Sequence, residues 1–147
     1  MYPIPLYSKI LPNLYMGGTH RDDLGAQDDG VTSEHLIGFD AVVSLDASSK
    51  PAGSEVNEKR YSLIDGDLNG PDAANLVEVA NWAHQHWKSG SNTLIRCHFG
   101  MNRSGLVTTL VLMKEGYSAT DAIALIREKR SPRCIDNRYF ENWLKSL

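Results

Sequence analysis

The segment Thr93-Leu94-Ile95-Arg96-Cys97-His98-Phe99-Gly100-Met101-Asn102-Arg103-Ser104-Gly105 constrains this chain more than any other. A β-type apolar run stops at a cysteine. Five residues intervene before an arginine, a serine and a glycine, and a long apolar segment, Leu106 to Met113, follows. A strand therefore hands a thiol to a tight loop, and a helix starts where the loop ends. The loop N–H groups can turn inward as a nest, and the helix adds the positive end of its dipole. Such a site stabilises anions. It favours a thiolate at Cys97 and a tetrahedral oxyanion, two of whose oxygens the planar Arg103 fork can grip. The chemistry this predicts is phosphoryl transfer through cysteine. In a plainer reading Cys97 is a buried strand-end thiol and Arg103 a surface charge. The strand before, the helix after and the small Ser104-Gly105 pair favour the cradle, because each is needed to build it.

The rest of the composition narrows the setting. With 147 residues, 41% of them hydrophobic and 22% charged, the chain reads as one domain, 1–147, with a real core. A net charge of −3 gives no whole-chain argument for nucleic acid or an anionic membrane. Cys97 and Cys134 do not make a disulfide framework, which fits a reducing compartment. The opening Met1-Tyr2-Pro3-Ile4-Pro5 does not read as a signal peptide, and Ser104 to Met113 is too short to span a bilayer. The expected location is cytoplasmic.

Strands and helices alternate along the chain. Leu14-Tyr15-Met16, Ala41 to Leu45, Tyr61 to Ile64 and Thr93 to Arg96 read as strands, the second of buried parallel type. Thr19 to Thr32 and Ser48 to Glu58 read as loops. Pro71 opens a helix carrying Leu76, Val79, Ala80, Ala83 and Trp87 at helical spacing and ending near Ser89-Gly90. Ser104 to Glu115 is predicted as a helix buried on most sides. Ser118 with Asp121 forms a capping box for a helix to Lys129, and Asp136 is the expected N-cap of a last helix through Trp143 and Leu144. The pattern predicts an α/β sheet with helices on its faces.

Cys97 through Arg103-Ser104 resembles the Cys-x5-Arg-Ser/Thr loop of the cysteine-dependent protein tyrosine phosphatase superfamily. Four flanking segments resemble, in order, those of its small dual-specificity phosphatases. They are Ile10 to Gly18 (opening strand and turn), Gly38 to Leu45 (second strand), Tyr61 to Asp67 (strand and acid loop) and Ser131 to Leu144 (closing loop and helix). The resemblance covers nearly the whole chain. It implies a central, mostly parallel twisted sheet flanked by helices, and a metal-independent reaction through a cysteinyl phosphate without a cofactor.

By that resemblance Cys97 is the nucleophile, and His98, Phe99, Gly100, Met101, Asn102 and Arg103 form the substrate-binding loop. Ser104 supplies a hydroxyl that eases the sulfur's departure, although it could equally cap the helix. The general acid lies in Ile64-Asp65-Gly66-Asp67-Leu68-Asn69-Gly70, with Asp65 preferred and Asp67 the alternative. Asn137 matches the asparagine that steadies the loop from behind. Arg96 departs from the pattern, since the family places histidine before the cysteine and an arginine cannot accept a hydrogen bond. Arg133 and Arg138 could add positive field at the mouth. His84 and His86, two apart on a helix, read as a solvated face rather than a metal pair. Cys134 reads as a packed thiol, with a redox partnership to Cys97 as the alternative.

The expected partner is a phosphorylated protein carrying phosphotyrosine or phosphoserine/threonine, with no nucleic acid, no membrane and a monomeric chain. Two other classes stay open: a phosphatase of RNA 5′-triphosphate or of a phosphoinositide, and an inactive phosphate-binding module. Gly100 to Gly105 is similar to the loop of the RNA 5′-triphosphatase branch, but the acidic chain speaks against RNA. Phosphoinositide members tend to carry lysines in the loop, and none is present here.

Overall fold

The computed structural model describes residues 4–19 and 36–147. Within them, five strands form one sheet in the order β1-β2-β5-β3-β4. These are β1 (Tyr7–Leu11), β2 (Leu14–Gly18), β3 (Ala41–Ser44), β4 (Asn57–Arg60) and β5 (Thr93–Cys97). β1 and β2 form an antiparallel hairpin that turns at Asn13, which takes the left-handed backbone (φ 65°) that asparagine tolerates. The other three pairings are parallel. The expected mostly parallel sheet is therefore present. Of the loop expected over Thr19 to Thr32, all but Thr19 lies outside the described residues.

Alternation along the strands separates two cores. Met16, Val43, Ile95 and Cys97 join Leu76, Val79 and Ala83 of α1 (Gly70–Lys88), Leu106 and Val107 of α2 (Arg103–Lys114), Ile123 and Ile126 of α3 (Ala119–Lys129), and Phe140 and Leu144 of α4 (Arg138–Ser146). The four described helices thus share one core. Leu94 and Val42, one residue out of step, pack on the other side with Leu36 and Ala52, and with Tyr7, Tyr15, Phe39 and Val56 at its margin. β3 and β5 are buried along their whole length, which is why β3 reads as a compact apolar run, whereas β5 buries the charge of Arg96 as well. None of the described helices is long and apolar enough to cross a membrane.

Two predicted boundaries move. The strand expected at Tyr61 to Ile64 lies instead at Asn57–Arg60, inside the segment read as a loop. β4 is an edge strand bonded to β3 alone, so it needs no apolar run, and charged residues suit an edge. Tyr61 and Leu63 still donate to Ser44 and Leu45 carbonyls as the chain leaves the sheet. The last helix is capped by Asn137 rather than Asp136: its Oδ1 accepts from Tyr139 N and Phe140 N. The α3 prediction holds at its cap, where Asp121 N donates to Ser118 Oγ at 3.1 Å.

The second face of the sheet contains a row of polar groups in register. Tyr7 pairs with Gly17, Gly17 with Arg96, Arg96 with Ser44, and Ser44 with Arg60. Gly17 carries no side chain, and the Tyr7 ring occupies the space where one would stand. Arg96 is 0% exposed. Its Nε donates to Ser44 Oγ (2.9 Å), and its Nη2 donates to Lys50 O (2.8 Å) and lies 3.4 Å from Glu58 Oε2. Ser44 Oγ in turn donates to Glu58 at 2.6 Å. Burial opposes ionisation of Glu58. The bonds from Ser44 and Ala52 N and the charges of Arg60 and Arg96 outweigh it and hold the carboxyl below the ordinary glutamate value.

Removing one partner of a buried ion pair leaves the other charge uncompensated. Glu58→Gln is expected to cost ~3 kcal/mol, the lower end for such a pair, because the Glu58 side chain keeps 16% exposure. A depressed carboxyl contributes stability that is present above its unfolded value and lost as pH falls through its folded one. The variant should therefore lose less stability than the parent on acidification below pH 4.5, the reference value for glutamate. Urea midpoints at neutral and acid pH check both statements.

Candidate active site

β5 ends at Cys97, a residue 2% exposed that lies where the loop to Arg103 begins. Peptide planarity makes the orientation of this loop readable from its carbonyls, because each N–H points opposite to the C=O before it. The His98 carbonyl accepts from Thr19 N at 2.9 Å, and the Met101 carbonyl from Ile135 N at 3.3 Å. Arg130 donates to Phe99 O (3.2 Å) and Gly100 O (2.7 Å). Asn102 O takes the first bond of α2, from Leu106 N at 2.8 Å. Five consecutive carbonyls are thus occupied outside the loop, and the amides of residues 99 to 103 face its hollow. That is the nest inferred from the sequence.

Close approach of backbone to backbone makes this possible. A Cβ on Gly18 would sit 2.8 Å from His98 O, and one on Gly100 would sit 2.4 Å from the Gly17 carbonyl carbon. Gly100 also has φ +72°, so both its space and its backbone require glycine.

The structure brings most of the predicted residues together. Asp65, Cys97, Phe99, Met101, Asn102 and Arg103 line one pocket of about 330 Å³, with Arg133 and Asp136. Ser104 N donates to Cys97 Sγ at 3.4 Å, and Ser104 Oγ is also 3.4 Å from the sulfur. Ser104 lies inside the first turn, and the N-cap position belongs to Asn102. Arg103 Nη1 donates to Leu63 O at 3.2 Å, tying the cysteine loop to the segment that carries the acid candidates.

Of those candidates, Asp65 reaches the site. Its Oδ1 accepts from Asn137 Nδ2 at 2.8 Å and its Oδ2 from Asn102 Nδ2 at 3.1 Å. Asn137 also donates to Gly66 O, and its backbone N to Asn102 Oδ1. Asp67 is outside the pocket lining and accepts from Leu68 N at 2.8 Å, a local turn contact.

Other predicted residues are elsewhere. Arg96 serves the polar row on the far face and makes none of its hydrogen bonds to the 98–103 loop. His98 turns sideways, its Nδ1 3.4 Å from Asp46 Oδ2. Burial opposes ionisation of Asp46, but the bonds from Ser48 and the charges of Arg103 and His98 prevail and keep its carboxyl below the usual range. Arg138 opens α4 and is not in the pocket lining. Cys134 is fully buried beside Met101, its Sγ 3.7 Å from Sδ, and burial pushes its thiol up to about 11. His84 and His86 are half-buried rather than solvated: His84 meets Glu115 at 3.2 Å and His86 packs on Trp82. The sequence reading missed Arg130 and Asp46. Neither lies in a motif, and each acts through contacts that only the fold creates.

Comparison with known proteins follows the same lines. The catalytic domain of dual specificity phosphatases matches residues 24–147. The chain belongs to that family. It is a cysteine-dependent protein phosphatase of the protein tyrosine phosphatase superfamily. A relative in Invertebrate iridescent virus 6, the 123R protein that bears a tyrosine phosphatase name, is 25% identical over 146 residues. The match spans 95% of this chain and 94% of the relative. Among solved structures, human DUSP28 superposes with a TM-score of 0.78 at 23% identity, covering 99% of this chain and 95% of that one. Tk-PTP in its active form gives 0.77 at 24% identity, covering 97% and 96%. At such identities the structural likenesses show the fold.

Glycine 100 offers a test of the phosphatase's loop geometry. Gly100→Ala is expected to reduce affinity for a tetrahedral oxyanion such as tungstate by about a hundredfold, the scale of losing one oriented donor. Tungstate titration by calorimetry on parent and variant measures it.

Proposed function

We propose that the phosphatase hydrolyses phosphomonoesters of proteins, phosphotyrosine and also phosphoserine or phosphothreonine, through a cysteinyl-phosphate intermediate without a metal. The observation that carries this is the meeting, in one pocket, of the Cys97 sulfur, the inward amides of its loop, the Arg103 fork and Asp65. Cys97 Sγ attacks phosphorus, an S–P bond forms and the P–O bond to the leaving alcohol breaks. Asp65 delivers its proton to that oxygen. The equatorial oxygens lie against the loop amides and Arg103, which stabilise the charge of the transition state. In the second step water attacks phosphorus and Asp65 takes its proton. Ser104, beside the sulfur, stabilises the departing thiolate.

Asn102 and Asn137 hold the Asp65 carboxylate from two sides, which favours it over Asp67 as the acid. The pocket lining also bears on the substrate. Asp65 and Asp136 line it with Arg133, and no lysine lies in the 98–102 stretch. A polyanionic head group or an RNA triphosphate would meet those carboxylates, whereas a single phosphate on a protein side chain needs only the cradle.

Cys97→Ser is expected to abolish turnover while leaving the fold intact, because an unactivated hydroxyl is a poor nucleophile. Phosphopeptide hydrolysis and circular dichroism read the two halves of that statement. Turnover should survive EDTA, since the amides and Arg103 supply the charge stabilisation that a metal would bring. Hydrolysis of triphosphorylated RNA or a phosphoinositide in preference to phosphopeptides would replace the substrate assignment.

Arg103→Lys should fall about a hundredfold or more in kcat/KM, close to Arg103→Ala. Lysine keeps the charge but not the fork. Near-parental rates in the lysine variant would refute planar recognition.

Asp65→Asn should remove the fall in rate on the alkaline side of the pH–rate profile, where a proton donor is lost, and act hardest on substrates with poor leaving groups. Asp67→Asn should change little beyond loop stability. Each variant is to be assayed across a series of aryl phosphates, and the one that shows the steep leaving-group dependence carries the acid.

A further inference from the structure

The outward carbonyls of the cysteine loop depend on one side chain more than on any other. Arg130 stands at the C-cap of α3, its backbone N bonded to Ile126 O. Its planar guanidinium is divided between two segments. Nε and Nη2 hold the Gly100 and Phe99 carbonyls at 2.7 and 3.2 Å. Nη1 holds Pro5 O at 2.8 Å and Ser8 Oγ at 3.0 Å, in the chain entering β1.

Gly100 is the weak point of the loop. Glycine populates both hands of the backbone at similar cost, so the peptide planes on either side of Gly100 can rotate with little steric resistance. A rotated plane would put a carbonyl oxygen where an amide should be, facing the phosphate with the wrong end of its dipole. The guanidinium also occupies the place where a side chain on residue 100 would project, 2.7 Å from the Cβ position.

We propose that Arg130 is a positioning residue for the phosphate cradle. It latches the Phe99 and Gly100 carbonyls outward and thereby aims the Gly100 and Met101 amides at the bound oxyanion. The proposal rests on the reading of this loop as a phosphate cradle and adds what keeps it in its binding form. Arg127 complements it from the same helix. Its Nε and Nη2 hold Cys134 O (2.9 Å) and Ile135 O (3.0 Å), in the segment whose Ile135 N occupies the Met101 carbonyl. The end of α3 thus controls the outer side of the loop from residue 99 to residue 101.

The test compares Arg130→Ala, Arg130→Lys and Ser8→Ala with the parent. Tungstate affinity by calorimetry, kcat and KM on para-nitrophenyl phosphate, and thermal midpoint are the readouts. Arg130→Ala should weaken tungstate binding by about a hundredfold and lower kcat/KM in proportion, as the loss of an oriented oxyanion donor does. Arg130→Lys should move affinity in the same direction by less, while its thermal midpoint recovers towards the parent's. Ser8→Ala removes one of the guanidinium's contacts away from the loop and should leave tungstate affinity within a few-fold of the parent's. Should Arg130→Ala not fold, the lysine variant and Ser8→Ala decide. Parental tungstate affinity in either Arg130 variant overturns the proposal, as does a loss in Ser8→Ala equal to the loss at Arg130. A parent that binds no tungstate overturns the cradle reading itself, and the two failures are thereby told apart.

Discussion

The site depends on where five carbonyl groups point. The five residues between β5 and α2 have no regular structure to satisfy their own backbone, and a buried C=O left without a donor costs about 1–3 kcal/mol. Here the donors come from the end of β2 (Thr19), the end of α3 (Arg130), the closing loop (Ile135) and the first turn of α2 (Leu106). Each lies in a different part of the chain. The cradle is therefore a property of the assembled fold, and its amides acquire their direction only when all four neighbours are in place.

The Asp65 side of the pocket is built by the same economy. Asn137 caps α4 with its side-chain oxygen and holds Asp65 with its side-chain nitrogen. Arg103 reaches past the cradle to the Leu63 carbonyl, two residues before Asp65. One amide and one guanidinium thus fix the distance between the Cys97 loop and the Asp65 carboxylate. A change in the closing helix is felt at Asp65 without any contact to substrate.

What could be read from the sequence was whatever local chemistry dictates. The strand–loop–helix around Cys97, the proline-opened α1, the serine cap of α3 and the buried runs of β3 and β5 all rest on neighbours in sequence, and each is found where expected. β4 was misplaced because an edge strand paired on one side carries no hydrophobic signature. Asp136 and Asn137 are equivalent as caps on paper, and contacts to Asp65 and Asn102 that arrive from elsewhere in the chain accompany the choice of asparagine. Arg130 was invisible because its partners at Phe99 and Gly100 are about thirty residues away. His84 looked solvated for the same reason: the carboxylate that meets it belongs to Glu115 on another element.

Arg96 and Cys97 are consecutive residues of a strand whose two faces are both closed. One side chain is a charge that needs the polar row of Ser44 and Glu58, and the other belongs among the apolar side chains under the helices. A slip of β5 by one residue would exchange them, driving a guanidinium into hydrocarbon and stranding Glu58. A purely apolar central strand would carry no such penalty, since valine and isoleucine are at home on either side. The arginine thus favours one alignment of β5 over the neighbouring ones. It sets which face of β5 turns towards the helices, and with it the side of the sheet on which Cys97 stands.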